Sequence, residues 1–104
     1  MTFDDFKASL NSATPPAGLT PLLLALWHDA KGDWDAAHGV AQDVDDEDGA
    51  WVHAYLHRKE GDAANSGYWY RRASHPQSRA TLAEEWDEIA TALLARPIIS
   101  RRRP

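Results

Sequence analysis

The chain has 104 residues, 43% of them hydrophobic, with a net charge of −5 and no cysteine. Such a length supports one domain around one core, and the lack of cysteine excludes disulfides and thiolate metal sites. The longest apolar run, Leu22 to Trp27, is far too short to cross a membrane, and the acidic start Met1-Thr2-Phe3-Asp4-Asp5-Phe6 has none of the basic and apolar regions of a signal peptide, so a cytoplasmic protein is expected.

The first predicted helix runs from about Phe3 to Leu10. Thr2 caps it, Asp4 and Asp5 complement its N-terminal dipole, and Phe3, Phe6 and Leu10 form an apolar stripe. Residues 11–19, with Thr14-Pro15-Pro16 and Gly18, read as a linker. Thr20 as N-cap and Pro21 at the first helical position open a second helix, which ends near Lys31 with Gly32 as its left-handed residue. Asp33 then caps a third helix to about Gln42. The acidic stretch Asp43 to Gly49 breaks the pattern and supplies caps for a fourth helix, about Ala50 to Glu60. Gly61-Asp62 repeats the turn-and-cap device before a fifth helix, which Ser74-His75-Pro76 stops after Ala73. The C-terminal helix is assigned to residues 76–96. Thr81 and Glu84 fit a capping box, and Leu82, Trp86, Ile89, Ala90 and Leu93 share one face. Arg96-Pro97 ends it, and residues 97–104 read as a frayed tail. No strand pattern competes, so a single all-α domain is expected.

Part of the chain occurs twice. With Gly32-Asp33 laid over Gly61-Asp62, Ala25 falls on Ala54, His28 on His57 and Ala37 on Ser66. Small residues before and after each glycine suit two helices that approach closely across the turn. Gly32-Asp33-Trp34-Asp35-Ala36-Ala37 resembles the turn of a tetratricopeptide repeat. Gly61-Asp62 through Tyr68-Trp69-Tyr70-Arg71-Arg72-Ala73 resembles the second helix of the related Sel-like repeats. The resemblance covers residues 21–73. It implies a short right-handed array of antiparallel helix hairpins over residues 20–73, capped by the N- and C-terminal helices, and a protein-interaction role.

The resemblance also implies where a partner would dock, since ligand-facing positions lie on the first helix of each unit. Here they are Leu22, Leu26 and Asp29, then Trp51, Tyr55, Arg58 and Lys59. The face is apolar and requires a cover. Phe3, Phe6 and Leu10 can fold back over it as an intramolecular lid, which the long linker favours. A partner's helix or a second copy of the chain can occupy it instead. The open repeat end, the apolar face bearing Trp86 and Leu93, and the charge asymmetry point to a homodimer, the alternative being a monomer in which the last helix caps helix five; residues 1–52 carry two lysines against ten acidic residues, residues 53–104 nine basic against six acidic.

Candidate chemistry centres on histidine. His53 and His57 lie four apart on one helix, a spacing that suits a shared metal ion, and His28, the counterpart of His57, can supply a third ligand. The competing reading makes them packing residues between repeat helices, so no cofactor is expected, with a divalent metal as the alternative. The acidic run fits no calcium loop, because Val44 and Tyr55, or Asp48 and Ala54, fall where ligands or glycine are required. Tyr68 to Arg72 alternates aromatic and basic residues, yet the net negative charge argues against nucleic-acid binding. Ser74-His75 lacks a nucleophile elbow, and catalysis is not expected.

Overall fold

In the computed structural model, residues 1–96 are described. The tail expected at residues 97–104 lies outside them. Six helices and no strand occur among the described residues: α1 (Phe3–Ser9), α2 (Pro21–Ala30), α3 (Trp34–Ala41), α4 (Glu47–Glu60), α5 (Ala63–Arg72) and α6 (Leu82–Leu94). Local chemistry fixes most of the boundaries. The Thr2 hydroxyl accepts from the Asp5 N–H while the Asp5 carboxylate accepts from the Thr2 N–H, and Thr81 and Glu84 close the same reciprocal box at α6.

The two Gly-Asp turns are built alike. Gly32 and Gly61 sit at φ 88° and 91°, a left-handed conformation that glycine adopts without a side-chain clash. The N–H of Asp33 reaches the carbonyl of His28, and that of Asp62 the carbonyl of His57, each at 2.9 Å. These bonds close a Schellman turn, after which Asp33 and Asp62 cap α3 and α5 through their side chains. The helices joined by each turn, α2 with α3 and α4 with α5, pack directly on one another.

Two boundaries differ from expectation. Helix α4 starts at Glu47 rather than Ala50, because the Asp46 carboxylate accepts from the Gly49 N–H at 2.7 Å and Glu47 and Asp48 become its first turn. Gly49 is required there: a Cβ on it would lie 2.0 Å from the Val44 carbonyl oxygen. The C-terminal helix begins at Leu82, so residues 76–81 are connector.

The cover over the apolar face is also not the one expected. Helix α6 lies against both α2 and α4, and α1 packs on α6. Trp86 enters between them, its indole N–H donating to the Leu26 carbonyl at 3.0 Å and its ring stacking on Phe6 at 5.7 Å. A 13-residue helix with Leu82, Trp86, Ile89 and Leu93 on one side offers more apolar surface than the two phenylalanines of α1. Leu22, Leu26, Trp51 and Tyr55 are consequently buried inside the chain.

Ala37 is fully buried and Ser66, its counterpart in the sequence match, nearly so. Ala37→Leu should therefore overpack the core and destabilise by roughly 1–3 kcal/mol. Asp45→Ala, at a side chain 95% exposed, should leave the melting temperature unchanged, whereas Asp46→Ala should remove a cap and cost about 1 kcal/mol. Thermal unfolding of the three variants checks the ranking.

Candidate functional site

Helix α4 has two working faces. One carries Trp51, Tyr55, Arg58 and Lys59 into a polar network. Glu85 of α6 has no solvent exposure, and its carboxylate accepts from Arg58 Nη1 at 2.7 Å, Tyr70 Oη at 2.6 Å and Trp51 Nε1 at 3.2 Å. Arg58 Nη2 donates to the Ala80 carbonyl. Asp29 of α2, also buried, accepts from Tyr55 Oη at 3.0 Å and Lys59 Nζ at 2.9 Å. Burial and the adjoining Asp29 carboxylate push the Tyr55 phenol above its ordinary pKa; burial and the Glu85 hydrogen bond do the same to Tyr70. Every polar group in this network is thus committed to a neighbour. Of the residues expected to meet a partner, Leu22, Leu26, Trp51 and Tyr55 are covered by the chain's own helices, and Arg58 and Lys59 hold Glu85 and Asp29.

The other face of α4 carries His53 and His57, one turn apart, toward α3 and α5. His38 of α3 joins them. The three residues each offer a ring nitrogen, and these nitrogens lie within 4.8 Å of one another. The His38 and His53 Nε2 atoms are 3.0 Å apart, close to the separation of about 3.3 Å between two ligands of one tetrahedral ion. Facing Nε2 atoms at that distance require one to donate and the other to accept. Joint coordination requires the donor to move its proton to Nδ1 and the two rings to turn their Nε2 lone pairs toward a common ion.

Each ring is braced by its own neighbour. His38 stacks on Trp34 at 4.8 Å, and Trp34 is itself held by its N–H to the Leu56 carbonyl at 2.8 Å. His53 stacks on Trp69 at 4.0 Å. His57 Nδ1 meets a Glu60 oxygen at 2.7 Å, which leaves Nε2 as its free ligand atom. A carboxylate behind a ligating imidazole is the usual device for orienting the ring and raising its basicity. His53 and His57 are buried and His38 is half-buried.

Electrostatics disfavour a charge on two of the three rings, His53 and His38. Burial pushes the His53 pKa down to about 4, with the neighbouring His38 and His57 rings acting in the same direction. Burial lowers His38 too, as does His57, against an opposing pull from Glu60 and Asp35. Neutral imidazoles present lone pairs, the form that metal coordination needs.

His53 and His57 thus share a face as their spacing predicts, but His28 is not the third member. It lies half-buried on α2 with its ring against Trp27. The sequence match that pairs His28 with His57 places them at equivalent ends of α2 and α4, and equivalent is not adjacent. His38 was missed, although Trp34–His38 and His53–His57 are both one-turn pairs on consecutive helices. Glu85 was missed as well; a lone carboxylate at i+3 from Leu82 and i−4 from Ile89, inside an apolar stripe, was its signal.

Compared with known protein families, curated proteins and solved structures, the chain matches none.

The His53 shift fixes a pH dependence for the metal-free protein. The folded state resists the proton that the unfolded chain takes up near the ordinary value of 6.5, so this contribution to stability is complete above pH 6.5 and is lost as the pH falls toward about 4. Melting temperatures measured with chelator present should decline across that window, and His53→Phe should flatten the decline.

Proposed function

We propose that the protein binds a divalent transition-metal ion through His38, His53 and His57. The observation that carries this reading is the convergence of three ring nitrogens within 4.8 Å, each ring held by a separate neighbour. Three imidazole ligands suit zinc, nickel or copper, whereas calcium and magnesium require a set of oxygen ligands. Three protein ligands leave a fourth coordination position open to water or to a small molecule.

A second reading, a protein-interaction module of tetratricopeptide-like type, draws support from the matched Gly32-Asp33 and Gly61-Asp62 turns and from the direct packing of the helices they join. In that reading a protein partner or a second copy docks on outer surfaces, because α6 fills the face between α2 and α4. Arg58 and Lys59, half-buried and exposed, are the parts of that face a partner still reaches. Among the described residues no helix is long and apolar enough to cross a membrane.

The test is metal content after purification without a His-tag, followed by titration of the chelator-treated protein with zinc or nickel. One equivalent is expected, lost in His38→Ala, His53→Ala and His57→Ala and retained in His28→Ala. Glu60→Gln should weaken binding roughly 10–100-fold without abolishing it. A wild-type protein that takes up no stoichiometric metal overturns the proposal.

A further inference from the structure

A cavity of about 200 Å³ opens where α4 ends and α5 begins, and it shares no lining residue with the histidine cluster. Arg58, Ala63, Ser66, Tyr70, Gln77 and Ser78 contribute to its wall. The chemistry of that wall is one-sided. Arg58 uses two of its guanidinium nitrogens, one on Glu85 and one on the Ala80 carbonyl, and a guanidinium carries five N–H donors in all. Ser66 is only 5% exposed, yet its hydroxyl has no hydrogen-bond partner among the described residues. The Gln77 amide, on an exposed side chain, has none either among the described residues. It lies over Gly67, where a Cβ would come within 2.7 Å of its nitrogen, so the missing side chain is what admits it. Ser78 accepts from the Ala80 N–H through its oxygen, which leaves its own O–H to donate.

One residue of the first turn of α5, Ala63, also lines the cavity. Helix α5 starts beside the cavity, and its cap Asp62 accepts from the Asn65 N–H, leaving the Ala63 and Ala64 N–H groups without an acceptor among the described residues. Unpaired first-turn N–H groups and the positive end of the helix dipole favour an anion. The buried carboxylate Glu85 is already engaged by three donors. Asp62 is held on Asn65 through both oxygens and does not line the cavity. Side-chain donors with capacity to spare thus border a space large enough for a handful of heavy atoms.

We propose that this cavity binds a small oxyanion, a carboxylate or phosphate group, held by Arg58, Ser66 and Gln77 at the N-terminus of α5. The side chains supply a charge-assisted contact and two neutral ones, and the start of the helix supplies the Ala63 N–H.

The test is a backbone and side-chain amide NMR titration of the full chain, treated with chelator, using inorganic phosphate and acetate against sodium chloride at matched ionic strength. Saturable shifts are expected at the Ala63, Ala64 and Ser66 amides and at the Gln77 side chain, with either anion supporting the site and their ratio telling phosphate from carboxylate. Ser66→Ala combined with Gln77→Ala should weaken binding roughly tenfold or more while leaving the melting temperature near that of the parent chain. His53→Ala should bind the anion normally, which separates this site from the metal reading. Shifts that fail to saturate, that chloride reproduces, or that persist unchanged in the double variant overturn the proposal.

Discussion

Burying a carboxylate without any solvent costs several kcal/mol unless its lone pairs are filled, and the fold is arranged around filling those of Glu85. Trp51 and Arg58 reach it from α4, Tyr70 reaches it from α5, and Glu85 itself stands on α6. Three helices are thereby fixed to one point. Removing any single donor leaves a buried lone pair unmet, which costs more than the net gain of making the bond. The same arrangement recurs on a smaller scale at Asp29, where Tyr55 and Lys59 tie α4 to α2. Hydrophobic burial by Trp86, Ile89 and Leu93 drives α6 onto the molecule, and Glu85 determines the register in which it lands.

Helix α4 is central for this reason. Its Trp51–Tyr55–Arg58 side is pinned by Glu85 and Asp29, so its rotation about its own axis is set, and His53 and His57 are aimed toward α3 and α5 as a consequence. A metal site is only as precise as the elements that carry it. Here two ligands come from one pinned helix and the third from α3, which the Trp34 N–H fastens to the Leu56 carbonyl of α4. The two faces of α4 are therefore parts of one device.

Local chemistry was the most legible part of the sequence. A glycine followed by aspartate states both a left-handed helix end and the next helix's cap, and Gly32-Asp33 and Gly61-Asp62 do what they state. The start of α4 was less legible, because Asp43, Asp45, Asp46 and Asp48 are all competent caps, and the close approach of Gly49 to Val44 that selects Asp46 is a contact, not a motif. The identity of the covering helix depended on comparing apolar area between α1 and α6. Glu85 and His38 were hardest. A buried carboxylate is visible only once its donors are seen to converge from other helices, and His38 joins the cluster through the packing of α3 on α4, which no spacing along the chain encodes.

The convergence of His38, His53 and His57 is tested most directly by nitrogen-15 NMR of the five imidazole rings before and after one equivalent of zinc. The account predicts that the ring nitrogens of His38, His53 and His57 shift together and stoichiometrically, with Nε2 the metallated atom of His57, while His28 and His75 remain where they were. Rings that do not respond, or a response that includes His28 and omits His38, would contradict it.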